Sequence, residues 1–166
     1  MDAKIVLAGV LVLGSLGFAG FTMLQRPSVA PDFQLYSTRA KLVHLEDLRG
    51  KVVVLDFWAS WCPPCRMAIP RLEEVHQAAK DRGVVVLGIN VHDDKDPAQT
   101  MATLGATYTC LVNGDAVSHD YGVKGIPTIM VISPDGEVLF RESGWGSQSQ
   151  INILKAIEKG LASAQP

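Results

Sequence analysis

Two cysteines stand two residues apart in the segment FWASWCPPCR, residues 57–66, as Cys62 and Cys65. An apolar run ends just before them and a helix is predicted to begin at Pro63, so Cys62 falls at or near the helix N-cap. Helix N-termini present unpaired N–H groups and the positive end of the helix dipole, which together stabilise a thiolate. Because the thiolate is the form that attacks disulfides, Cys62 is the proposed attacking cysteine and Cys65 the resolving one.

The residues beside this pair adjust how strongly the thiolate is favoured. Pro63 and Pro64 suit the first helical turn, where a backbone N–H has no intrahelical partner. They also remove two donors that could have stabilised the thiolate. Arg66 adds a nearby positive charge that favours the thiolate. We therefore expect the pKa of Cys62 to lie moderately below the free value of about 8.5.

A C-x-x-C pair can also bind zinc or form a purely structural disulfide. A zinc site needs two more ligands. The remaining candidates are Cys110, His44, His76, His92 and His119. None of these has metal-ligand spacing with another, and a disulfide that bridges four residues removes little chain entropy. Both alternatives stay open, but redox exchange is favoured, and Cys110 is expected to be a buried inert thiol.

One acidic residue interrupts the apolar run Val52–Trp58. On a strand, Asp56 shares a face with Val54 and Trp58, which predicts that the carboxyl is buried. An unpaired buried carboxylate is costly, and its pKa rises. A bond to nearby backbone or to Lys51 is the alternative to a chemical role.

The composition limits the classes of protein to which the chain can belong. Its 166 residues allow one domain and little more, and 48% apolar with 19% charged residues support a packed core. A formal net charge of −2 gives no reason to expect nucleic acid or anionic lipid as a partner. Three cysteines are too few for a disulfide-stapled scaffold, so a disulfide here is expected to be made and broken in use.

The N-terminal residues favour a membrane anchor. Ile5–Leu24 carries no charge, and a helix of this length reaches about 30 Å, the thickness of the hydrocarbon core of a bilayer. A cleaved signal peptide ending near Ala30 is the alternative, but signal cores are shorter and Pro31 would follow the cut. The flanking positive charges do not settle the orientation. The predicted parts are an anchor, a linker and one domain, at residues 1–26, 27–31 and 32–164.

The rest of the chain alternates between strand and helix patterns, which predicts an α/β fold with a mixed sheet. Strands are predicted at 33–35, 42–44, 52–58, 84–91, 128–133 and 137–142. Helices are predicted at 63–82, 97–104 and 115–121, with a last helix after the capping pattern Ser147–Gln150. The expected buried sides of the first and last helices are Met67, Leu72, Val75 and Ala79, and Ile151, Leu154, Ile157 and Leu161.

Several segments are characteristic when they occur together. They are Ala30–Phe33, Val54–Arg66, Val86–Val91, Gly125–Thr128 and Asp135–Gly136, with Pro70 inside the cysteine helix. On these segments, residues 31–163 resemble the thioredoxin fold, and within it the membrane-anchored extracytoplasmic thiol–disulfide oxidoreductases of the ResA, TlpA and CcmG type. The resemblance implies a mixed sheet flanked by helices on both faces, with an N-terminal hairpin and a central insertion, preceded by one transmembrane helix.

The resemblance implies roles for residues outside the cysteine pair. Pro127 should be cis and face the disulfide, and the backbone at Ile126 should pair with an extended client segment. An ordinary trans proline that starts a strand is the alternative. Asp56 should act as a general acid/base for Cys65, through water. The residues expected to contact the client are Trp61, Pro63, Pro64, Ile126 and Thr128. No cofactor and no metal are expected.

The resemblance also implies an activity and a location. Such a protein exchanges its dithiol with cysteines of extracytoplasmic client proteins, from a single-pass anchor with the redox domain on the outer side of the cell membrane. A reductase is favoured, recharged by a transmembrane electron donor of the CcdA or DsbD type, and cytochrome c-type biogenesis is a typical setting. The alternatives are a non-catalytic copper or thiol carrier and a peroxiredoxin-like peroxide reductase.

Four positions depart from the patterns of related proteins. Many anchored relatives carry Glu where Ala68 stands, and the CcmG branch often has Glu where Thr128 stands, which weakens a role in cytochrome c maturation. The lysine near the buried aspartate of thioredoxin is replaced by Gly88. Peroxiredoxins need Thr or Ser in place of Ala59, and copper chaperones of the Sco type use C-x-x-x-C, so both alternatives are disfavoured.

Overall fold

The computed structural model describes residues 29–163 of the chain. Its strands are β1 (Gln34–Tyr36), β2 (Leu42–His44), β3 (Val52–Trp58), β4 (Val84–Asn90), β5 (Thr109–Leu111), β6 (Thr128–Ile132) and β7 (Val138–Ser143). Its α-helices are α1 (Pro63–Ala79), α2 (Pro97–Thr103), α3 (Asp115–Asp120) and α4 (Ser149–Ser163). Within this range β1 and β2 form an antiparallel hairpin, and the other strands form a mixed sheet in the order β5-β4-β3-β6-β7.

The sheet is built around β3, whose residues are all buried. β3 pairs in parallel with β4 and antiparallel with β6, so it has a hydrogen-bonded neighbour on each side. A strand that is also covered on both faces is expected to be mostly apolar, and Asp56 is the one charged residue in Val52–Trp58. The connection from β3 to β4 contains α1, and β6 and β7 form an antiparallel hairpin.

Two helices, α1 and α4, cover one face of the sheet, and the hairpin and α3 cover the other face. Val54 and Trp58 of β3 pack in one apolar cluster with residues of α1 and α4. Leu55 and Phe57 pack in a second cluster with residues of the hairpin and α3. Because side chains alternate along a strand, Asp56 lies on the face that α1 covers.

The helix α1 begins at Pro63 as predicted and continues into a 3₁₀ turn that ends before Gly83. Gly83 has a φ of 78°, a left-handed conformation that glycine adopts without steric cost. The buried residues of α1 are Cys65, Ala68, Ile69, Leu72, Val75 and Ala79. The prediction that Met67 is buried is wrong, because Met67 lies off this stripe and is 67% exposed.

The last helix differs from its prediction in start and in phase. It begins at Ser149, whose hydroxyl accepts a hydrogen bond from the backbone N–H of Gly146 at 2.9 Å, and not after a Ser147–Gln150 capping box. The buried residues of α4 are Ser149, Ile153, Ala156, Ile157 and Gly160. Ile151 and Leu154 are exposed, so only part of the predicted apolar side faces the core.

The segment between β4 and α3 contains α2 and β5, where the resemblance implied a central insertion. Asp96 caps α2, and its carboxylate accepts a hydrogen bond from the N–H of Ala98 at 2.8 Å. The sequence did not predict β5, which is three residues long and pairs in parallel with β4.

The predicted transmembrane segment, Ile5–Leu24, lies outside the described residues. No helix within residues 29–163 is long and apolar enough to cross a membrane.

Residues 29–31, which the sequence assigned to a linker, lie against the domain. Val29 forms a β-bridge with Glu137, and the hydroxyl of Tyr121 donates to the carbonyl of Pro31 at 2.6 Å. The described chain therefore joins the domain beside the turn between β6 and β7.

Candidate active site

Cys62 and Cys65 form a disulfide at the start of α1, with their Cα atoms 5.3 Å apart. Cys62 is the N-cap residue, with extended backbone angles, and Pro63 and Pro64 occupy the first two helical positions. The N–H of Cys65 donates to the Sγ of Cys62 at 3.2 Å. This donor is the first one available after the two prolines, and it is placed to stabilise a Cys62 thiolate once the disulfide is reduced.

Both cysteines are buried, but their neighbours are not. Cys62 is 2% exposed and Cys65 is fully buried. The residues around Cys62 are exposed, namely Trp61, Pro63 and Pro64. A client can therefore approach the start of α1, and the role of Cys62 as the attacking cysteine stays a prediction.

The loop before β6 meets the sheet at the end of β3 that leads to the disulfide. The peptide bond between Ile126 and Pro127 is cis, as the resemblance implied. In the sheet register Thr128 pairs with Phe57 near the end of β3, so Pro127 lies level with the segment that leads into Cys62. The hydroxyl of Thr128 donates to the carbonyl of Gly125 at 2.6 Å, a hydrogen bond that stabilises the conformation of this loop.

The loop between β4 and α2 holds the segment that precedes Cys62. The carboxylate of Asp93 accepts hydrogen bonds from the N–H of Ser60 at 2.6 Å and from its hydroxyl at 2.7 Å. The amide of Asn90 also donates to Asp93, at 2.9 Å. Burial opposes ionisation of Asp93, but the hydrogen bonds from Asn90 and Ser60 outweigh it and hold the pKa of this carboxyl below its ordinary value.

Trp61 is anchored to the same loop. Its indole N–H donates to the carbonyl of His92 at 2.7 Å, and the backbone N–H of His92 donates to Asp115 at 2.7 Å. Nothing in the local sequence of residues 92–96 indicates that this loop folds back onto Ser60. Trp61 is 52% exposed, and its hydrogen bond to His92 fixes its orientation beside Cys62.

Asp56 is fully buried, as predicted, on the sheet face beneath α1. Burial raises the pKa of Asp56 to about 7, and a hydrogen bond from Tyr108 acts in the opposite direction. The hydroxyl of Tyr108 donates to Oδ2 of Asp56 at 3.4 Å, and no donor among residues 29–163 reaches Oδ1. Neither nearby backbone nor Lys51 pairs with the carboxyl, so that alternative is wrong for the described chain.

Cys65 and Asp56 belong to the same buried layer. Cys65 packs in the cluster that also contains Val54 and Trp58, the residues on either side of Asp56 on its face of β3. A carboxyl with a pKa near 7 in this layer can exist in either protonation state at neutral pH, which suits it to accept and return a proton.

The third cysteine is a buried thiol, as predicted. Cys110 is 3% exposed and forms no disulfide. Burial raises the pKa of the Cys110 thiol to about 12, so the reactive thiolate is scarce at neutral pH.

A surface groove of about 700 Å³ runs beside α1. It is lined by Met67, Pro70, Arg71, Glu74, Trp145, Gly146 and Ser147. The N–H of Gly144 donates to the carbonyl of Pro127 at 2.7 Å, which holds the Trp145 side of the groove against the cis-proline loop. The groove therefore lies between α1 and the segment that follows β7.

Within residues 29–163 one group of side chains could hold a metal ion, and it lies at the N-terminal hairpin. Potential ligand atoms of Asp32, His44 and Glu46 lie within 4.8 Å of one another. His44 is already paired with Asp32 at 2.5 Å, and this hydrogen bond raises the pKa of His44. The group ties the start of the domain to β2, on the face opposite α1, and contributes nothing to the disulfide.

The fold and the disulfide site together define a thioredoxin-like thiol–disulfide oxidoreductase. The family model described as the AhpC/TSA family matches residues 28–141, and the chain belongs to this family.

Several similar proteins belong to the same class. The chain is 33% identical over 144 residues to thiol-disulfide oxidoreductase ResA of Bacillus subtilis, covering 83% of this chain and 80% of that protein. It is 34% identical over 150 residues to thiol:disulfide interchange protein HelX of Rhodobacter capsulatus, and the match covers 81% of this chain and 83% of that protein. A solved structure described as thiol:disulfide interchange protein DsbE from Chlorobium tepidum matches with a TM-score of 0.76 and 34% identity, covering 83% of this chain and 99% of that one.

Proposed function

We propose that this protein is a membrane-anchored reductase of disulfides in extracytoplasmic proteins. The observation that carries the proposal is the Cys62–Cys65 disulfide at the start of α1, with Cys62 as N-cap between the exposed residues Trp61 and Pro63. The clients are cysteine-containing proteins on the outer side of the cell membrane, and cytochrome c-type biogenesis is one setting in which such clients occur.

The first step is attack by Cys62. In the reduced protein the thiolate of Cys62 accepts a hydrogen bond from the N–H of Cys65 and lies at the positive end of α1. It attacks one sulfur of the client disulfide, a mixed disulfide forms between Cys62 and the client, and the other client cysteine leaves as a thiolate.

The second step releases the client. The thiol of Cys65 gives its proton to Asp56, and its sulfur attacks the Sγ of Cys62. The Cys62–Cys65 disulfide forms, the client cysteine leaves, and two electrons have moved to the client. The burial of Asp56 in the layer that contains Cys65, and a pKa near 7, support this role for the carboxyl.

The client segment is proposed to bind across the cis-proline loop. The backbone at Ile126 would pair with an extended segment, while Pro127 and Thr128 fix the loop beneath it. The side chains proposed to contact the segment directly are Trp61, Pro63 and Pro64, all of which are exposed around Cys62.

The direction of electron flow is proposed to be reductive. Strong oxidants stabilise their thiolate heavily, and Pro63 and Pro64 leave the first turn of α1 without two of the donors that would do so. We expect the full-length protein in detergent, equilibrated with glutathione buffers, to show a reduction potential near the value of thioredoxin, about −270 mV. A value near about −120 mV, typical of the strongest periplasmic oxidants, would contradict the reductive direction. Insulin reduction in the same preparation would show turnover, which a non-catalytic copper or thiol carrier lacks.

The anchor is proposed to be residues 1–26, with Ile5–Leu24 in the membrane and a transmembrane electron donor of the CcdA or DsbD type as partner. In the structure the chain enters the domain at Val29, beside the turn between β6 and β7. Cys62 follows the opposite end of the sheet, where β3 ends and β6 begins, so an anchor at Val29 would leave the disulfide facing away from the bilayer.

Membrane retention tests the anchor. The full chain is expected to stay in the pellet when membranes are washed with alkaline carbonate. Leu13→Arg places a charge near the middle of the span, which makes membrane insertion less favourable by about 3 kcal/mol. This variant should therefore show a smaller retained fraction, whereas Leu13→Phe should be retained like the wild type. Equal release of all three proteins from the pellet would contradict an anchor at these residues.

A further inference from the structure

The carboxyl of Asp56 lies next to a gap in the row of side chains that crosses the sheet. Asp56 on β3 pairs in register with Gly88 on β4, and Gly88 pairs with Cys110 on β5. These three residues therefore share one row, and the middle one has no side chain. The gap opens beside the carboxyl, on the face that α1 covers.

The gap is filled from both sides by aromatic residues. A Cβ on Gly88 would lie 3.0 Å from the indole nitrogen of Trp58 and 3.2 Å from Cε2 of Tyr108. The ring of Tyr108 is thus seated in the space that a side chain at position 88 would take. Its hydroxyl is the group that donates to Asp56, and Tyr108 is only 4% exposed.

The helix that carries the cysteines holds Tyr108 in this place. Glu73 of α1 accepts a hydrogen bond from the N–H of Thr107 at 2.7 Å and a longer one from the N–H of Tyr108 at 3.4 Å. The hydroxyl of Thr107 donates to the same carboxylate at 2.7 Å. The segment before β5 is therefore tied to α1, two turns from Cys65.

We propose that Tyr108 is a positioning residue for the exchange reaction: its hydroxyl donates to Asp56 and keeps this buried carboxyl able to ionise near neutral pH. The proposal rests on the proposed role of Asp56 as the acid/base for Cys65. In thioredoxin a lysine lies near the buried aspartate, and Gly88 stands at its position here. Tyr108 fills the space beside Gly88 and supplies a neutral donor instead of a positive charge.

The strength of the contact agrees with this role. A separation of 3.4 Å is long for an O–H···O bond, so the hydroxyl offsets only part of the effect of burial. The pKa of Asp56 consequently stays near 7 and does not return to its ordinary range. Burial, followed by the charge of Asp56, raises the pKa of Tyr108 well above its ordinary value, so the hydroxyl remains a donor across the physiological range.

The surroundings of the pair contain few other groups that titrate. The strands on either side of β3 place Gly88 and Ile129 beside Asp56, and neither side chain ionises. The titratable groups packed around the pair are Cys110 on β5 and Cys65, Glu73 and His76 on α1. Cys110 stays protonated because its pKa is raised to about 12, and the Glu73 carboxylate is tied up by Thr107.

Tyr108→Phe tests the proposal with the ring retained. The rate of client release from the mixed disulfide is measured for the full chain in detergent across pH 5.5–9, with a model peptide disulfide as client. Loss of the hydroxyl is expected to move the midpoint of the pH profile upward by about 0.5–1 pH unit. Release at pH 7 should fall about threefold while the rate at pH 9 stays unchanged, since a higher pH restores the ionised carboxyl. Tyr36→Phe, at an exposed tyrosine of β1, is the matched control and should leave the profile in place.

Two further variants separate the proposal from the role of Asp56 itself. The double variant Asp56→Asn with Tyr108→Phe should release the client at the same rate as Asp56→Asn alone. If Asp56→Asn flattens the profile but Tyr108→Phe does not move its midpoint, Tyr108 has no positioning role and the acid/base role of Asp56 stands. If Asp56→Asn leaves the wild-type profile intact, both proposals are overturned. The carboxyl carbon resonance of Asp56, followed by NMR in Tyr108→Phe, reports the same midpoint without turnover and must move upward as well.

Discussion

Replacing Cys65 with serine is expected to leave the protein covalently attached to its clients. Cys62 can still attack a client disulfide, but serine cannot resolve the mixed disulfide that forms. Because Cys65 is fully buried, its loss should change the release step and not access to the attacking sulfur. Non-reducing gels should show a stable complex for Cys65→Ser and only traces of it for the wild type. Adding reductant should cleave the mixed disulfide and release the client.

The other two cysteines provide the matched controls. Cys62→Ser should form no complex and should lose insulin reduction by more than about a thousandfold, the order of loss that follows removal of a covalent nucleophile. Cys110→Ala removes a thiol that is buried and protonated at neutral pH, so turnover should match the wild type. A complex that forms equally well in Cys62→Ser would contradict the assigned roles.

Asp56→Asn is expected to slow release of the client by about a hundredfold at pH 7–8, within the range of general acid–base catalysis. In the wild type the rate of release should rise with pH around pH 7, because the ionised carboxyl accepts the proton of Cys65 and its pKa is about 7. The asparagine variant has no group that titrates there, so its profile should be flat over this range. Stopped-flow measurement of peptide release from the preformed mixed disulfide gives this rate directly.

Asp56→Asn should also change stability: the variant is expected to release the client more slowly but to be more stable than the wild type at pH 8. A carboxyl with a raised pKa binds its proton more tightly in the folded protein than in the unfolded chain, so ionisation destabilises the fold. Wild-type stability should therefore fall as pH rises from about 4 to about 7, and the full penalty should be present above that range. At 1.36 kcal/mol for each pKa unit between 3.8 and about 7, the variant gains up to about 4 kcal/mol in free energy of unfolding at pH 8. At pH 4 it should gain little.

Asp94→Asn is the control for both measurements. Asp94 is exposed on the loop beside the active site, so its replacement makes the same change of charge without touching a buried group. Urea unfolding at pH 4 and pH 8 should separate the two variants. A wild-type release profile that is unchanged by Asp56→Asn across pH 6–8 would remove the acid/base role, whatever the result for stability.

The parts of the fold that the sequence predicts correctly are those determined by neighbouring residues. Apart from Asp56, the run Val52–Trp58 is apolar because β3 is covered on every side, and this pattern can be recognised without knowing the partner strands. The start of α1 follows from Pro63, and the start of α2 follows from Asp96 and the proline after it. The burial of Asp56 follows from strand alternation alone.

Helix phase was predicted less well, because it depends on which neighbour a helix meets. Met67 was placed in the core, but the stripe of α1 that contacts β3 runs one position away from it. The same kind of error affects α4, where Ile151 and Leu154 were predicted to be buried but are exposed. Gly160 is buried instead, and a Cβ at this position would come within 2.8 Å of Val52. Close approach to a strand selects a small residue there, and an amphipathic pattern cannot reveal it.

The residues that support the site were missed because they reach it from distant parts of the chain. Asp93 is separated by 33 residues from Ser60, and Tyr108 by 52 residues from Asp56. These contacts depend on the parallel pairing of β3, β4 and β5, and the sequence did not predict β5. Gly88 was a usable signal: a missing side chain next to a buried carboxyl requires that something else fill the space.

Peptide mass spectrometry of the trapped Cys65→Ser complex tests most directly whether Cys62 is the sulfur that attacks. The complex is formed with full-length protein and a model peptide disulfide, free thiols are blocked, and the cross-linked peptides are identified after digestion. We expect the peptide to be joined to the fragment that contains Cys62, with Cys110 carrying the blocking group. Attachment through Cys110, or the absence of any covalent complex from a folded protein, would contradict exchange at the start of α1.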